Sequence, residues 1–275
     1  MSSWAAEPLA VRVVSGEESL FVQQTVTRID SALRKLGPDV LLEPAPAGGR
    51  RLVLTVGARG WRTMADAPSE TPLFAIAPPS AALEGGSRKG GMLILDPPFA
   101  RLLNLAQLAM PKRNNLGLLS SPTLQARLGR YESLANDRGQ KLIVEKVEQE
   151  TEVGAAVERL LPNIGALLAM PDAVTHNATT VQPLLLLTYR AGLPVIGYSE
   201  SYLRAGAALA VYSTPEQIAQ QVAEIVSAYQ QGRALPGLVT PKYYSVGVNQ
   251  PVARSLGLNL PPGEELEVKL RQMRE

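Results

Sequence analysis

Short runs of Leu, Val, Ile and Ala recur from one end of the chain to the other, each followed by a stretch of helical periodicity. Val11–Val14, Leu52–Val56, Leu73–Ala77, Met92–Leu95, Leu116–Leu119, Leu142–Val147, Ile164–Ala169, Pro194–Gly197 and Leu209–Tyr212 read as strands. Apolar strands with little alternation suit parallel sheets that are covered on both faces. Parallel neighbours need right-handed crossovers, and these supply the covering helices. The expected class is α/β with doubly wound layers. So long a succession of strands exceeds one compact sheet and implies two.

The helices carry their own punctuation. Ser121-Pro122-Thr123-Leu124 starts one, with serine as cap and proline in the first turn. Leu124, Leu128, Tyr131 and Leu134 form its apolar face, and Gly139 ends it. Thr214-Pro215-Glu216-Gln217 has capping-box spacing, followed by Ile218, Val222, Ile225 and Tyr229, with Gly232 as the stop. Similar signals stand around Thr151 and near Asn249. Met110-Pro111-Lys112-Arg113-Asn114-Asn115 is a polar, proline-bearing seam, after which the strand pattern restarts.

Composition removes several functions. Charged residues are 19% of the chain and the formal net charge is +2, with no basic stripe, so no nucleic-acid partner is expected. The pairs Arg50-Arg51 and Lys112-Arg113 are expected in solvated loops. With no cysteine and one histidine, disulfides, thiolate nucleophiles and multi-histidine or cysteine metal sites are excluded, and no metal or cofactor is expected. The apolar cluster Leu184–Leu187 is far too short for a membrane span. Met1 to Pro8 lacks the basic and apolar regions of a signal peptide, which fits either a cytosolic protein or a mature exported form.

Open parallel sheets bind ligands beyond the carboxyl ends of their strands. Those ends carry Ser15-Gly16, Thr55 with Gly57 and Ala58, Pro78-Pro79, Asp96, Ser120-Ser121, Asp172, Ser199-Glu200 and Ser213. Short hydroxyl residues and glycines can contact a ligand there, or can simply cap helices. Asp172, in Met170-Pro171-Asp172-Ala173-Val174-Thr175-His176, either receives a ligand amine or caps a helix running from about Val174 to Arg190. Thr175 stands beside it, and His176 either lines the same site or lies on a helix surface.

No catalytic motif is present. Gly197-Tyr198-Ser199-Glu200-Ser201 ends in serine where a nucleophile elbow has glycine. Gly85-Gly86-Ser87-Arg88-Lys89-Gly90-Gly91 lacks the spacing of a phosphate loop and reads as a turn. No Gly-x-Gly-x-x-Gly follows the first strand. An enzyme is not expected.

The C-terminal half resembles the substrate-binding proteins of ABC transporters with the type I periplasmic-binding-protein fold, in the group that includes aromatic amino-acid binders. The likeness is carried by Ile164 to Thr175, by Ala191-Gly192-Leu193-Pro194-Val195-Ile196-Gly197, and by Arg204-Ala205-Gly206-Ala207. It continues through the helix Pro215 to Gln231 and the tail Pro241-Lys242-Tyr243-Tyr244-Ser245-Val246-Gly247-Val248-Asn249, leading to Ala253-Arg254-Ser255-Leu256-Gly257-Leu258. In the N-terminal half it rests on Thr55-Val56-Gly57-Ala58 and Thr71-Pro72-Leu73-Phe74-Ala75-Ile76.

The resemblance implies two Rossmann-like lobes joined by a hinge: residues 10–111 with 214–235, and 112–213 with 236–275. It implies a monomeric periplasmic receptor, its signal peptide removed, that closes on a small polar ligand, possibly an amino acid, and delivers it to ABC permease subunits. The alternative is a periplasmic sensing module that passes its closed state to a signalling receptor. Asp172 would be the second-lobe anchor, with Ser120, Ser121, Thr175, His176 and Glu200 around it. Thr55, Gly57 and Ala58 would be the first-lobe contacts, and Ser15 and Gly16 join them as ligand-binding candidates from their place at a strand end.

Overall fold

The computed structural model describes residues 8–16, 19–43, 50–65, 70–79 and 90–275. The chain divides into two compact units, Met1–Leu95 with Ser213–Tyr244, and Asp96–Tyr212 with Ser245–Glu275. The first unit opens with β1 (Leu9–Ser15), α1 (Leu20–Arg34), β2 (Val40–Leu42), β3 (Arg50–Val56), α2 (Gly57–Ala65), β4 (Leu73–Ile76) and β5 (Gly90–Leu93). The second continues with α3 (Phe99–Ala109), β6 (Asn115–Ser120), α4 (Pro122–Gln125), α5 (Leu128–Asn136), β7 (Lys141–Lys146), α6 (Val153–Leu160) and β8 (Ala166–Leu168). After them come α7 (Val181–Arg190), β9 (Val195–Gly197), α8 (Glu200–Ala205) and β10 (Leu209–Tyr212). The chain returns to the first unit for α9 (Pro215–Gln230) and β11 (Leu238–Val239). It ends in the second with β12 (Ser245–Val248), α10 (Gln250–Ser255) and α11 (Gly263–Leu270).

Each unit holds a six-stranded sheet, in the orders β11-β5-β4-β3-β1-β2 and β12-β10-β9-β8-β6-β7. All pairings are parallel except β10 with β12, which is antiparallel. Both orders reverse direction beside the unit's leading strand, β1 or β6, and that is where doubly wound sheets open a crevice.

The apolar runs do what two-sided burial requires. In the first unit Leu52, Leu54 and Val56 of β3 pack with Ile29 and Leu33 of α1 and with Ile218, Val222 and Val226 of α9. Val53 faces the other way, clustering with Leu73 and Ala75 against Trp61 and Met64 of α2. In the second unit Leu119, Leu167, Ala169 and Val195 are covered by Val157, Leu160, Leu184 and Tyr202. Each large side chain so buried contributes about 1.5–3 kcal/mol.

The unit boundaries fall elsewhere than the Met110–Asn115 seam. Helix α3 is buried from Phe99 to Ala106 and packs against α5 and α11, with Phe99 stacked 4.1 Å from Tyr131. Its buried Arg101 holds Glu275 through two bonds of 2.5 and 3.0 Å, and Asn104 donates to the Arg274 carbonyl at 3.0 Å. This helix therefore belongs to the second unit. At the other end Leu238–Val239 pairs with β5, so 236–244 stays with the first.

Three strands escaped the sequence pattern. β2, β11 and β12 are short edge strands, and β12 is interrupted by Gly247. The helix expected from Ser121 to Gly139 is two, α4 and α5, and the Ser121 side chain makes no cap. The helix expected from Val174 begins only at Val181. Pro183 explains this: it fits a first turn, but in a longer helix it would remove a bond to residue 179. The Thr214 capping box forms, and Asn249 accepts from the Val252 amide.

One residue of each basic pair is structural, while Arg51 and Lys112 are exposed and Lys112-Arg113 lies in a loop as expected. Arg50 opens β3, donates to the Tyr229 and Gln230 carbonyls at 3.0 and 3.2 Å, and lies 4.5 Å over the Tyr229 ring. Arg113 donates to the Gly165 carbonyl at 2.8 Å. The turn expected at Gly85–Gly91 lies mostly outside the described residues; Gly90 and Gly91 start β5.

Helix α2 lies so close to β1 that a Cβ on Gly60 would sit 2.5 Å from the Val14 carbonyl oxygen. Gly60→Ala is expected to destabilise the protein by about 1–3 kcal/mol, read as a lower midpoint in urea unfolding.

Candidate functional site

In the second sheet the order reverses between β6 and β8, and the polar residues beyond those strands meet there. Ser121 is buried and donates its hydroxyl to Asp172 Oδ2 at 2.5 Å. Asp172 Oδ1 accepts from the amides of Val174 and Thr175 at 2.9 and 3.0 Å. The Asp172 carbonyl takes the His176 amide at 2.9 Å. Asp172 thus organises the turns that follow β8 rather than capping a long helix, and it remains half-buried. Ser120 is fully buried and donates to the Ser121 carbonyl at 3.3 Å.

His176 is neither on a helix nor on the surface. It is 6% exposed, with Nδ1 2.6 Å from the Tyr202 hydroxyl. Its ring meets Tyr202 and Tyr198 edge-on at 5.8 and 6.4 Å, and the two tyrosines lie 5.3 Å apart. Burial lowers its pKa to about 4, against a smaller raising effect of Asp172, so the ring is neutral at physiological pH. Its Nε2 has no hydrogen-bond partner. Thr175 is fully buried beside it and its hydroxyl is also unpartnered.

Tyr198 follows β9, and its hydroxyl donates to the His176 carbonyl at 3.4 Å. Burial first, then the charges of Asp96 and Asp172, push its pKa up to about 12. Asp96 is the first residue of the second unit. Burial raises its pKa to about 6, and the Arg127 charge only partly opposes this. Sequence reasoning placed Asp96 at a strand end without giving it a role and passed over Tyr198 and Tyr202. The signal for Tyr198 was its place directly after the Val195–Gly197 strand. Glu200 is exposed on α8 and pairs with Arg204 at 2.9 Å, so the structure does not bring it into the cluster with Asp172.

The first unit's expected contacts stand at the ends of β1 and β3. Ser15 and Gly16 are exposed, and the Gly16 carbonyl accepts from Arg59 at 3.3 Å. Thr55 is fully buried with its hydroxyl unpartnered. Gly57, at φ +79°, turns the chain from β3 into α2, a conformation that glycine adopts without strain. Ala58 is half-buried in the first turn of that helix. Among the described residues no group of three or more His, Asp or Glu could hold a metal, and no helix is long and apolar enough to cross a membrane.

Two doubly wound units that exchange chain segments in this way define the type I periplasmic-binding-protein fold, and the chain has that fold. Solved structures match it along nearly its whole length. One is the ligand-free, open structure of a substrate binding protein with adhesive properties from Clostridium difficile, with TM-score 0.72, 14% identity, and coverage of 94% of this chain and 97% of that one. Another is the ABC domain in complex with L-Trp from Streptococcus pneumonia, with TM-score 0.64, 14% identity, and coverage of 95% and 98%. A third is a periplasmic ribose ABC transporter protein from Conexibacter woesei, with TM-score 0.55, 12% identity, and coverage of 93% and 96%. No protein-family profile matches the sequence, and no curated protein does.

The raised pKa of Asp96 has a stability consequence. The folded state holds the proton up to about 6, whereas a carboxyl in water releases it near 3.8, so stability is lost as pH rises from about 4 to 6. Asp96→Asn is expected to raise the melting temperature at pH 7.5, by up to about 3 kcal/mol of stability. The gap between variant and wild type is expected to close by pH 4, as read by paired melts across that range.

Proposed function

We propose that this chain is a periplasmic solute-binding protein of an ABC transporter, working as a monomer that captures a small polar organic molecule and presents it to permease subunits. The observation that carries the reading is the Ser121–Asp172 pair beside Tyr198, at the reversal point of a doubly wound sheet. A half-buried carboxylate oriented by a hydroxyl and two amides, with an aromatic ring close by, is built to hold a ligand donor. Ser120, Thr175 and His176 support it from below. Ser15, Gly16, Thr55, Gly57 and Ala58 are the contacts that the first unit offers, and Glu200 is an outer contact on α8. The neighbours in fold that bind L-Trp or ribose support capture rather than chemistry. His176 supports it too: neutral, buried and engaged with Tyr202, it is poorly placed as a general base.

Asp172→Asn is the informative variant. The amide oxygen can still accept from Val174 and Thr175, so the fold should hold, whereas Asp172→Ala would strip three donors of their partner. A thermal-shift screen of amino acids, amines, sugars and nucleosides is expected to give one class that raises the wild-type melting temperature. Asp172→Asn is expected to lose that response with its own melt unchanged. A full response in the variant would remove Asp172 from the site.

A further inference from the structure

An open sheet edge carries unpaired backbone groups, and natural folds keep such edges short or covered. Among the described residues three of the four sheet edges obey this rule: β2 has three residues, β11 two and β12 four. The fourth edge, β7, runs for six, Lys141-Leu142-Ile143-Val144-Glu145-Lys146, and pairs on one side only, with β6. The Lys141 and Val147 amides donate toward that side, to the Asn114 and Ser120 carbonyls at 2.8 and 3.0 Å. The odd-numbered residues are therefore the bonded set, and Leu142, Val144 and Lys146 point their N–H and C=O groups outward. Among the described residues those outward groups have no hydrogen-bond partner. Leu142, Ile143 and Val144 are only half-buried, so the edge is apolar as well as open.

We propose that β7 is an interaction edge, and that its occupant is the β7 of a second copy of this chain, added antiparallel about a two-fold axis. Outward-facing residues must meet outward-facing residues, so one residue of each copy lies on the axis. Charge decides which. Lys141 or Glu145 on the axis would face its own copy, and like charges directly opposite are destabilising. With Leu142 or Val144 there, Ile143 would oppose a charge. With Ile143 on the axis, Lys141 opposes Glu145 of the second copy, and the symmetry repeats that pair. Leu142 then meets Val144 at the hydrogen-bonded positions, and the two Ile143 side chains meet each other. Lys141 is exposed and has no bonded partner among the described residues, whereas Glu145 holds Arg159 of its own chain at 2.8 Å. Glu145 is thus placed between two cations in the pair. A contact of one short strand buries less than the roughly 1,000 Å² of a lasting interface, so the association is weak and concentration-dependent. Solute capture stays with each single chain, since Ser121 and Asp172 follow β6 and β8.

The test is sedimentation equilibrium of the whole protein from about 5 to about 500 μM, with amide hydrogen exchange at both ends of that range. Wild type is expected to pass from monomer to dimer, and the Leu142 and Val144 amides to gain protection as it does. Lys141→Glu sets glutamates opposite each other and Glu145→Lys sets lysines opposite each other. Each variant alone is expected to associate about tenfold more weakly than wild type. An equimolar mixture of the two restores both opposite-charge pairs, and it is expected to recover wild-type association. Val144→Pro removes an outward amide without touching the bonds to β6, and it is expected to stay monomeric with an intact melt. A wild type that is monomeric throughout overturns the proposal. So does a dimer that Val144→Pro and both charge variants leave intact, because another surface then holds it. Charge variants that weaken association singly but fail to recover when mixed remove the register, and the proposal with it. Protection of Leu142 and Val144 at the lowest concentration, with no dimer present, means that another part of the chain covers the edge, and overturns it as well.

Discussion

The carboxylate of Asp172 holds the second unit's site together. Its two oxygens receive one hydroxyl from the end of β6 and two amides from the turn after β8, and so tie two neighbouring strand ends into one surface. Those bonds set the start of the segment between β8 and α7, which Pro183 keeps from being helical, while Asn177 and Thr179 tie its later part to Glu150 at 2.8 Å each. The turn in turn seats His176 under the two tyrosines.

The two units repeat one topology with different chemistry. Each has its leading strand between a pair of parallel neighbours, and each closes its far edge with a strand supplied after a chain crossing, β11 in one and β12 in the other. The first unit's strand ends offer Ser15, Gly16, Thr55 and the glycine turn into α2, all small and uncharged. The second unit's offer two acids and an aromatic ring. Topology places both sets, and the charge at the first unit's end of β1 is that of Arg59, which donates to the Gly16 carbonyl. Sequence divergence is freest at such loop positions, and a fold shared at 12 to 14% identity with binders of quite different molecules is the expected result.

The sheets were legible in the sequence because two-sided burial forces continuous apolar runs, and Leu52–Val56 or Leu116–Leu119 cannot satisfy any other environment as well. Edge strands β2 and β11 were not, since one exposed side and two or three residues leave no periodic signal. Ser121 shows the limit for the site. A serine before a proline reads as a helix cap, and only the fold reveals an aspartate fifty-one positions later that takes its hydroxyl instead. Asp172 was legible as important because a lone acid after an apolar strand has few explanations. The raised pKa of Asp96 was not legible, because burial causes it and burial is a property of the fold. His176 was misplaced for the same reason: its burial comes from Tyr198 and Tyr202, on a different strand and helix.

Asp96 and His176 titrate in opposite senses, and the pairing matters for how the second unit responds to pH. Burial raises the acid to about 6 and lowers the base to about 4. As pH falls from 6.5 toward 4, the folded state gains from protonating Asp96 where the unfolded chain does not yet bind that proton. Over the same range it loses, because the unfolded chain protonates its histidine while the buried ring stays neutral. The two linkages offset, so the stability of the fold is buffered across an interval in which the Asp96 charge is switched off. Both shifts arise from the same cause, removal of water by burial. Because that cause acts with opposite sign on an acid and a base, acidification can remove the Asp96 charge while the two stability effects oppose each other.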